Sequence, residues 1–152
     1  EAGVTKGAFF HHFPTKTDLG IAAAEAWKRH ANDLFGSAPY MAHEDPLDRF
    51  LGYLEFRRDM LDGPVSEFTC LAGTMVQESY ETLVDDIDAA RARHGVAGDW
   101  TSESLALHTQ AVLQGAFILA KADHGTKAAR DTADHLIRYV RMLFNLPPEV
   151  KE

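Results

Sequence analysis

Between Ala2 and Thr17 the chain carries Lys6, His11, His12 and Lys16 and no acidic residue. Over its 152 residues, by contrast, the formal net charge is −8. Nonspecific affinity for nucleic acid comes from neutralising phosphates with Lys and Arg, so the bulk charge excludes a general nucleic-acid coat protein. The N-terminal tip is instead a small basic face on an acidic body. His11 and His12 do not read as metal ligands: adjacent helical residues point to different sides, whereas zinc sites use spacings of three or four that converge on one face. No metal and no cofactor is expected.

A second reactive group is Cys70, the lone cysteine, which opens the segment Cys70, Leu71, Ala72, Gly73, Thr74, Met75, Val76, Gln77, Glu78. A thiol near a helix N-terminus can have a depressed pKa and react with oxidants or electrophiles, which makes a redox or electrophile sensor one reading. The other is packing, because free cysteines are among the most buried residues and Glu67 nearby disfavours a thiolate. A third pairs Cys70 as nucleophile with His108 or His94 as base, in a Cys/His enzyme. No phosphate-cradling glycine loop or catalytic string accompanies that pair, and Asp85 with Asp86 reads as a solvated helix face, so catalysis is not expected. A lone cysteine cannot form an intramolecular disulfide, and no signal peptide precedes it, which predicts a reducing cytoplasm. No apolar run reaches the length of a bilayer, so no membrane is expected among the partners.

The elements that must position these groups read as helices throughout, giving an all-α class. Thr5 caps a short helix ending near Phe13, and Pro14 breaks it. Thr15 and Asp18 are spaced as a capping box for a helix from Lys16 to about Phe35, with Leu19, Ala22, Ala23, Ala26, Trp27 and Leu34 able to share a buried face. Residues 36–44 read as a loop. Asp45 and Pro46 then place a cap and a first-turn proline before a helix carrying Leu47, Phe50, Leu51, Leu54 and Leu61, ended by Gly63 and Pro64. From Ser66 to about His94, Gly73 favours a short helix, a bend and a longer helix with Leu83, Val84 and Ile87. Gly95 and Gly98 close that section.

A helix from Ser102 to His124 is apolar on more than one side (Leu105, Val112, Leu113, Ala116, Phe117, Leu119, Ala120) and so needs more than one neighbour. Gly125 ends it. The last helix, about Thr126 to Phe144, carries the stripe Ala129, Ala133, Leu136, Ile137, Val140 and Phe144. Two adjacent helices with spare apolar surface fit a homodimer interface, or are both simply core.

Gly3 suits the turn of a helix-turn-helix, and the helix after it presents Thr5, Lys6, Gly7 and Ala8 where a recognition helix approaches bases. Phe9 and Phe13, four apart, anchor that helix to its domain, while Phe10, His11 and Lys16 face outward. The string from Ala2 to Leu19 resembles the end of the TetR family's helix-turn-helix. The match is strong over about the first twenty residues and agrees loosely with the family's layout beyond them. The resemblance implies that Thr5, Lys6 and Gly7 lie near base edges, that Phe10 and His11 touch DNA backbone or thymine methyls, and that Lys16 pairs with a phosphate. Phe10 departs from the commoner tyrosine and loses a hydroxyl. The family's first helix and most of its second should precede Gly3, so residues upstream of Glu1 are expected to have been removed.

On this resemblance residues 1–34 are a partial helix-turn-helix domain with its connecting helix, and residues 35–152 a ligand-binding and dimerisation domain. The cysteine-led segment resembles that of a subset of the family. The implied function is a transcriptional repressor, a homodimer through its last two helices, released from double-stranded operator DNA by a small-molecule inducer. The inducer would enter between the helices after Asp45, with Phe56, Met60, Phe68, Cys70, Met75, His108 and Phe117 as candidate lining. Aromatic and methionine side chains suit an apolar or aromatic ligand. His108, on a mostly apolar helix, is more often a hydrogen-bonded core histidine than a ligand contact.

Overall fold

The computed structural model describes residues 13–62, 72–122 and 126–147. Every regular element among the described residues is helical, so the all-α class stands. The chain divides into two compact units, Glu1–Gly36 and Ser37–Glu152.

In the first unit, helix α1 spans Lys16–Gly36. The Thr15 backbone N–H donates to Asp18 Oδ2 at 2.9 Å and the Asp18 N–H donates to Thr15 Oγ1 at 3.1 Å. This is the expected capping box, satisfying two amide donors that no helical carbonyl reaches. The expected buried face is only partly covered. Leu19, Ala22 and Leu34 are half-buried, Ala23 and Ala26 are exposed, and Ile21 is exposed too. Alanine offers a single methyl, so a face built largely of alanines gains little free energy by being covered.

In the second unit the stretch expected to be a loop contains a 3-10 turn, Pro39–Ala42, that buries Tyr40. An aromatic ring of this size favours cover over solvent, which draws the turn onto the next helix. That helix, α2 (Pro46–Asp59), starts as expected: the Asp45 carboxylate accepts from the Leu47 N–H at 2.8 Å, and Pro46 fills the first turn. Leu47, Phe50, Leu51 and Leu54 are buried, and a 3-10 turn, Met60–Asp62, carries Leu61 into the same core.

Helix α3 spans Ala72–His94 and holds Gly73 in its first turn, while the short helix and bend expected ahead of the longer helix fall on positions outside the described residues. One glycine costs about 1 kcal/mol relative to alanine, which burial of Leu83, Ile87 and Ala90 along the same helix outweighs. It ends in a left-handed residue, Gly95 at φ +65°, with the Val96 N–H donating to the Arg91 carbonyl at 3.0 Å. Only glycine adopts that conformation without a Cβ penalty. Helix α4 (Ser102–Ala122) opens with a reciprocal cap between Thr101 and Ser104. Helix α5 (Lys127–Leu143) buries Ala129, Ala133, Leu136, Ile137 and Val140, and Phe144 beyond it, as its stripe requires.

Helix α2 packs against α3 and α5, and α4 packs against the same two, so the four close a ring around one core. Helix α4 thus has the two neighbours its composition demands. Leu119, expected inside, is exposed together with Leu107 and Ile118. A helix in this ring has two covered flanks and one open one, and those three residues lie on the open one.

Ion pairs tie α2 to its flanking helices. Arg49 donates from Nε (2.9 Å) and Nη2 (2.6 Å) to Asp86 Oδ1 on α3. Arg58 donates from Nη1 to Asp134 Oδ1 on α5 at 3.2 Å.

Candidate functional site

The stripe that buries α2 contains a charged residue. Arg57 lies seven residues after Phe50 and four before Leu61, and it is only 2% exposed. Its Nη1 donates to the Tyr53 hydroxyl at 3.2 Å. From α4, the opposite helix of the ring, Gln110 Nε2 donates to the same hydroxyl at 3.1 Å. Gln110 is itself 2% exposed. Next to it in the chain, Thr109 is fully buried, and its Oγ1 has no hydrogen-bond partner among the described residues.

Aromatic rings surround this cluster. The Arg57 guanidinium carbon sits 5.0 Å from the Phe117 ring centroid and 5.8 Å from that of Tyr53, within cation–π range. Tyr40 meets Tyr53 edge-on at 5.8 Å and tilts against Phe56 at 5.7 Å. Burial first, and then Tyr53, push the Tyr40 phenol well above its usual range despite the opposing Arg57 charge, so Tyr40 stays a neutral hydroxyl. The interior between α2 and α4 thus combines one guanidinium, two phenols, a carboxamide and apolar ring faces. That composition suits recognition of a small molecule: apolar walls give affinity and a few fixed polar groups give orientation.

Of the residues that the sequence suggested for a ligand, three belong to this interior. Phe117 is buried under Arg57, Phe56 lies tilted against Tyr40, and Met60 packs against the cluster of Leu61, Ala116, Phe117, Ala120 and Ala129. His108 does not join them. It is exposed on α4, edge-on to Tyr139 of α5 at 5.5 Å, beside a shallow cleft of about 190 Å³ with Trp100, Ser104, Leu105 and Leu143. It is therefore neither a core histidine nor a lining residue of the α2–α4 interior. The reason is its phase on the helix: 109, 110 and 113 turn inward, which leaves 107 and 108 outside. Phe68 and Cys70, like the Met75 side chain, lie outside the described residues.

Thr5, Lys6, Gly7, Phe10 and His11, which the resemblance assigned to DNA, also lie outside them, as do the breaks expected at Gly63, Pro64 and Gly125. Lys16 is described. It is exposed in the first turn of α1, between Thr15 and Asp18 of the capping box.

Sequence reasoning passed over Arg57, Tyr53 and Gln110. The signal was available: 50, 53, 54, 57 and 61 form one helical face, as do 106, 110, 113 and 117, so a charged or amide residue falls within each apolar stripe.

A second polar junction joins the start of α2 to the end of α3. Asp45 Oδ1 is 3.0 Å from His94 Nε2, and Asp45 Oδ2 is 3.1 Å from Arg93 Nε. Desolvation acts to raise the Asp45 carboxyl. Hydrogen bonds from His94 and the Leu47 N–H, with the charges of His94 and Arg93, outweigh it and hold the group below the ordinary carboxylate value. Beneath this junction His94 and Trp100 each meet Phe144 edge-on, and Arg91 covers Trp100 at 4.3 Å. The arrangement ties the start of α2 to the end of α3.

Among the described residues no group of three or more His, Cys, Asp or Glu is placed to hold a metal ion, and no helix is long and apolar enough to cross a membrane. No protein-family model matches the chain. No solved structure matches it either. Among curated proteins it is similar to "Transcriptional regulator AcuR" of Cereibacter sphaeroides, with 30% identity over 127 residues, 84% of this chain. The matched region is 55% of that relative, so the chain spans about half the length of the curated protein it resembles.

Proposed function

We propose that this chain belongs to a ligand-responsive transcriptional regulator of TetR type, a homodimeric repressor that leaves its operator when a small molecule enters the α2–α4 interior. The observation that carries the reading is the likeness to a transcriptional regulator over 84% of the chain. The string from Ala2 to Leu19 also supports it. In this reading residues 1–34 are the partial helix-turn-helix domain and residues 35–152 the ligand-binding and dimerisation domain. Its role is binding, not catalysis. A regulator of this kind works where its operator DNA is, in the cytoplasm.

Thr5, Lys6 and Gly7 meet base edges, Phe10 and His11 contact the backbone or thymine methyls, and Lys16 pairs with a phosphate. Exposure of Lys16 at the start of α1 is consistent with that role. Dimerisation is supported by Leu107, Ile118 and Leu119 on α4 and by Tyr139 and Met142 on α5, all exposed large apolar residues on two adjacent helices. A second copy of these helices would cover them in a four-helix interface. A ligand that binds better to the arrangement with misplaced tips lowers operator affinity by the ratio of its affinities for the two arrangements.

The test is fluorescence anisotropy of the full-length gene product on DNA flanking its own gene, over a salt series with scrambled DNA as control. Tight, sequence-dependent binding by a dimer is expected. Lys16→Ala should weaken all DNA alike and flatten the salt dependence, whereas changes at Thr5 or Lys6 should alter sequence preference. Binding no tighter than to scrambled DNA rejects the reading.

A further inference from the structure

The cleft beside His108 draws its walls from three parts of the second unit. Ser104, Leu105 and His108 come from α4, Tyr139 and Leu143 from α5, and Trp100 from the segment before α4. On each helix the outer members are four residues apart and so share one edge. Trp100 meets Phe144, and His108, further along α4, meets Tyr139, one turn back on α5. The two helices therefore run in opposite senses, with Trp100 at one end of the cleft and the His108–Tyr139 pair at the other. Leu105 is buried and Leu143 half-buried, which gives the cleft an apolar floor.

The polar edges of the far end are unspent. Neither the His108 ring nitrogens nor the Tyr139 hydroxyl has a hydrogen-bond partner among the described residues, although the rings lie only 5.5 Å apart. An imidazole offers a donor and, when neutral, an acceptor, and a phenol offers both, so one hydroxyl placed between them could be satisfied on each side. No carboxylate, lysine or arginine lines the cleft, so neither an ammonium nor a carboxylate would find a counter-charge on its walls. The volume of about 190 Å³ also sets a size. An apolar cavity of about 150 Å³ holds benzene, so this one takes a single ring with a small substituent.

We propose that the cleft between α4 and α5 is a binding site for a neutral, singly hydroxylated aromatic ring of phenol size. The ring packs against Trp100, Leu105 and Leu143, and its hydroxyl bridges His108 and Tyr139. This site lies apart from the α2–α4 interior and does not depend on a ligand entering there.

The experiment is an NMR titration of the full-length protein with phenol and with toluene, which has nearly the same shape and no hydroxyl. The His108 imidazole and Trp100 indole signals report on the two ends of the cleft. Phenol should move both signals and bind about three- to tenfold tighter than toluene, the worth of one neutral hydrogen bond. Tyr139→Phe and His108→Phe keep a ring at each exposed position, so the fold should hold, and each should bring phenol down to the toluene level. No shift at either signal, toluene binding as tightly as phenol, or a phenol preference that survives either substitution each overturns the proposal. Tyr139 is also among the residues offered to a second copy of the chain. Phenol binding by Ile118→Glu and not by the parent protein would show the cleft filled by that copy, and would overturn the site in the assembled protein. None of these outcomes involves operator DNA, so the regulator reading stands or falls separately.

Discussion

The guanidinium of Arg57 lies 5.0 Å from the centre of the Phe117 ring, joining α2 to α4 across the ring of helices. Each residue is buried because the other covers it: a desolvated cation gains from the ring's quadrupole, and the ring gains a flat partner. Truncating the aromatic therefore removes both packing and a partner of the charge. Phe117→Ala should cost about 3–5 kcal/mol, measured by urea unfolding with an unchanged slope. A loss under 1 kcal/mol would mean that the core collapses to fill the space.

Asp45 caps α2 and also receives His94 and Arg93, so its loss should act at one helix end and at one junction. Asp45→Ala should destabilise by about 1–2 kcal/mol at neutral pH. Asp45→Asn keeps an amide oxygen for the Leu47 N–H and should retain part of that. Equal losses in the two variants would show that the junction, and not the cap, carries the stability.

The same carboxylate sets a pH dependence. Its folded value lies below the ordinary 3.8, so the unfolded chain binds the proton more readily. The contribution is fully present above 3.8 and is lost as pH falls through the lower folded value. In a comparison with Asp45→Asn, the stability gap should narrow on acidification below about pH 4. A gap unchanged down to pH 2 would refute the linkage.

Gly52 has no room for a side chain: a Cβ there would come within 2.6 Å of Tyr40 Cβ. Gly52→Ala should displace the Tyr40 turn and destabilise by about 1–3 kcal/mol, despite alanine's better helix propensity. Adding Tyr40→Gly to the same chain should remove the clash, and the double mutant should then fall short of the summed single losses.

Ile118 is 67% exposed on the open flank of α4. If that flank is covered by a second copy, Ile118→Glu should give a monomer by sedimentation velocity, with little change in the helical spectrum. A dimer of unchanged affinity would remove α4 from the interface.

Much of this arrangement was legible in the residue order. Thr15 with Asp18, Asp45 with Pro46, and Gly95 each announce a helix boundary, because capping and left-handed turns are local events that a few adjacent residues settle. The stripes of α2 and α5 were equally plain, since the period of a helix sorts its apolar positions without knowledge of the partner. Helix α4 was not readable in this way. Its sequence is apolar on several sides, and only packing on α3 and α5 decides that Leu113 and Phe117 turn inward while Leu107, Ile118 and Leu119 stay outside. The same holds for the site. Phe117, Phe56 and Met60 could be nominated as apolar residues, but the phase of α4 places His108 outside the interior they share, and α2 places Arg57 within it. Local sequence sets where each helix starts, stops and is apolar. Whether a buried charge on α2 meets a carboxamide on α4 is a matter of distance between residues 57 and 110, which only the closed ring of helices supplies.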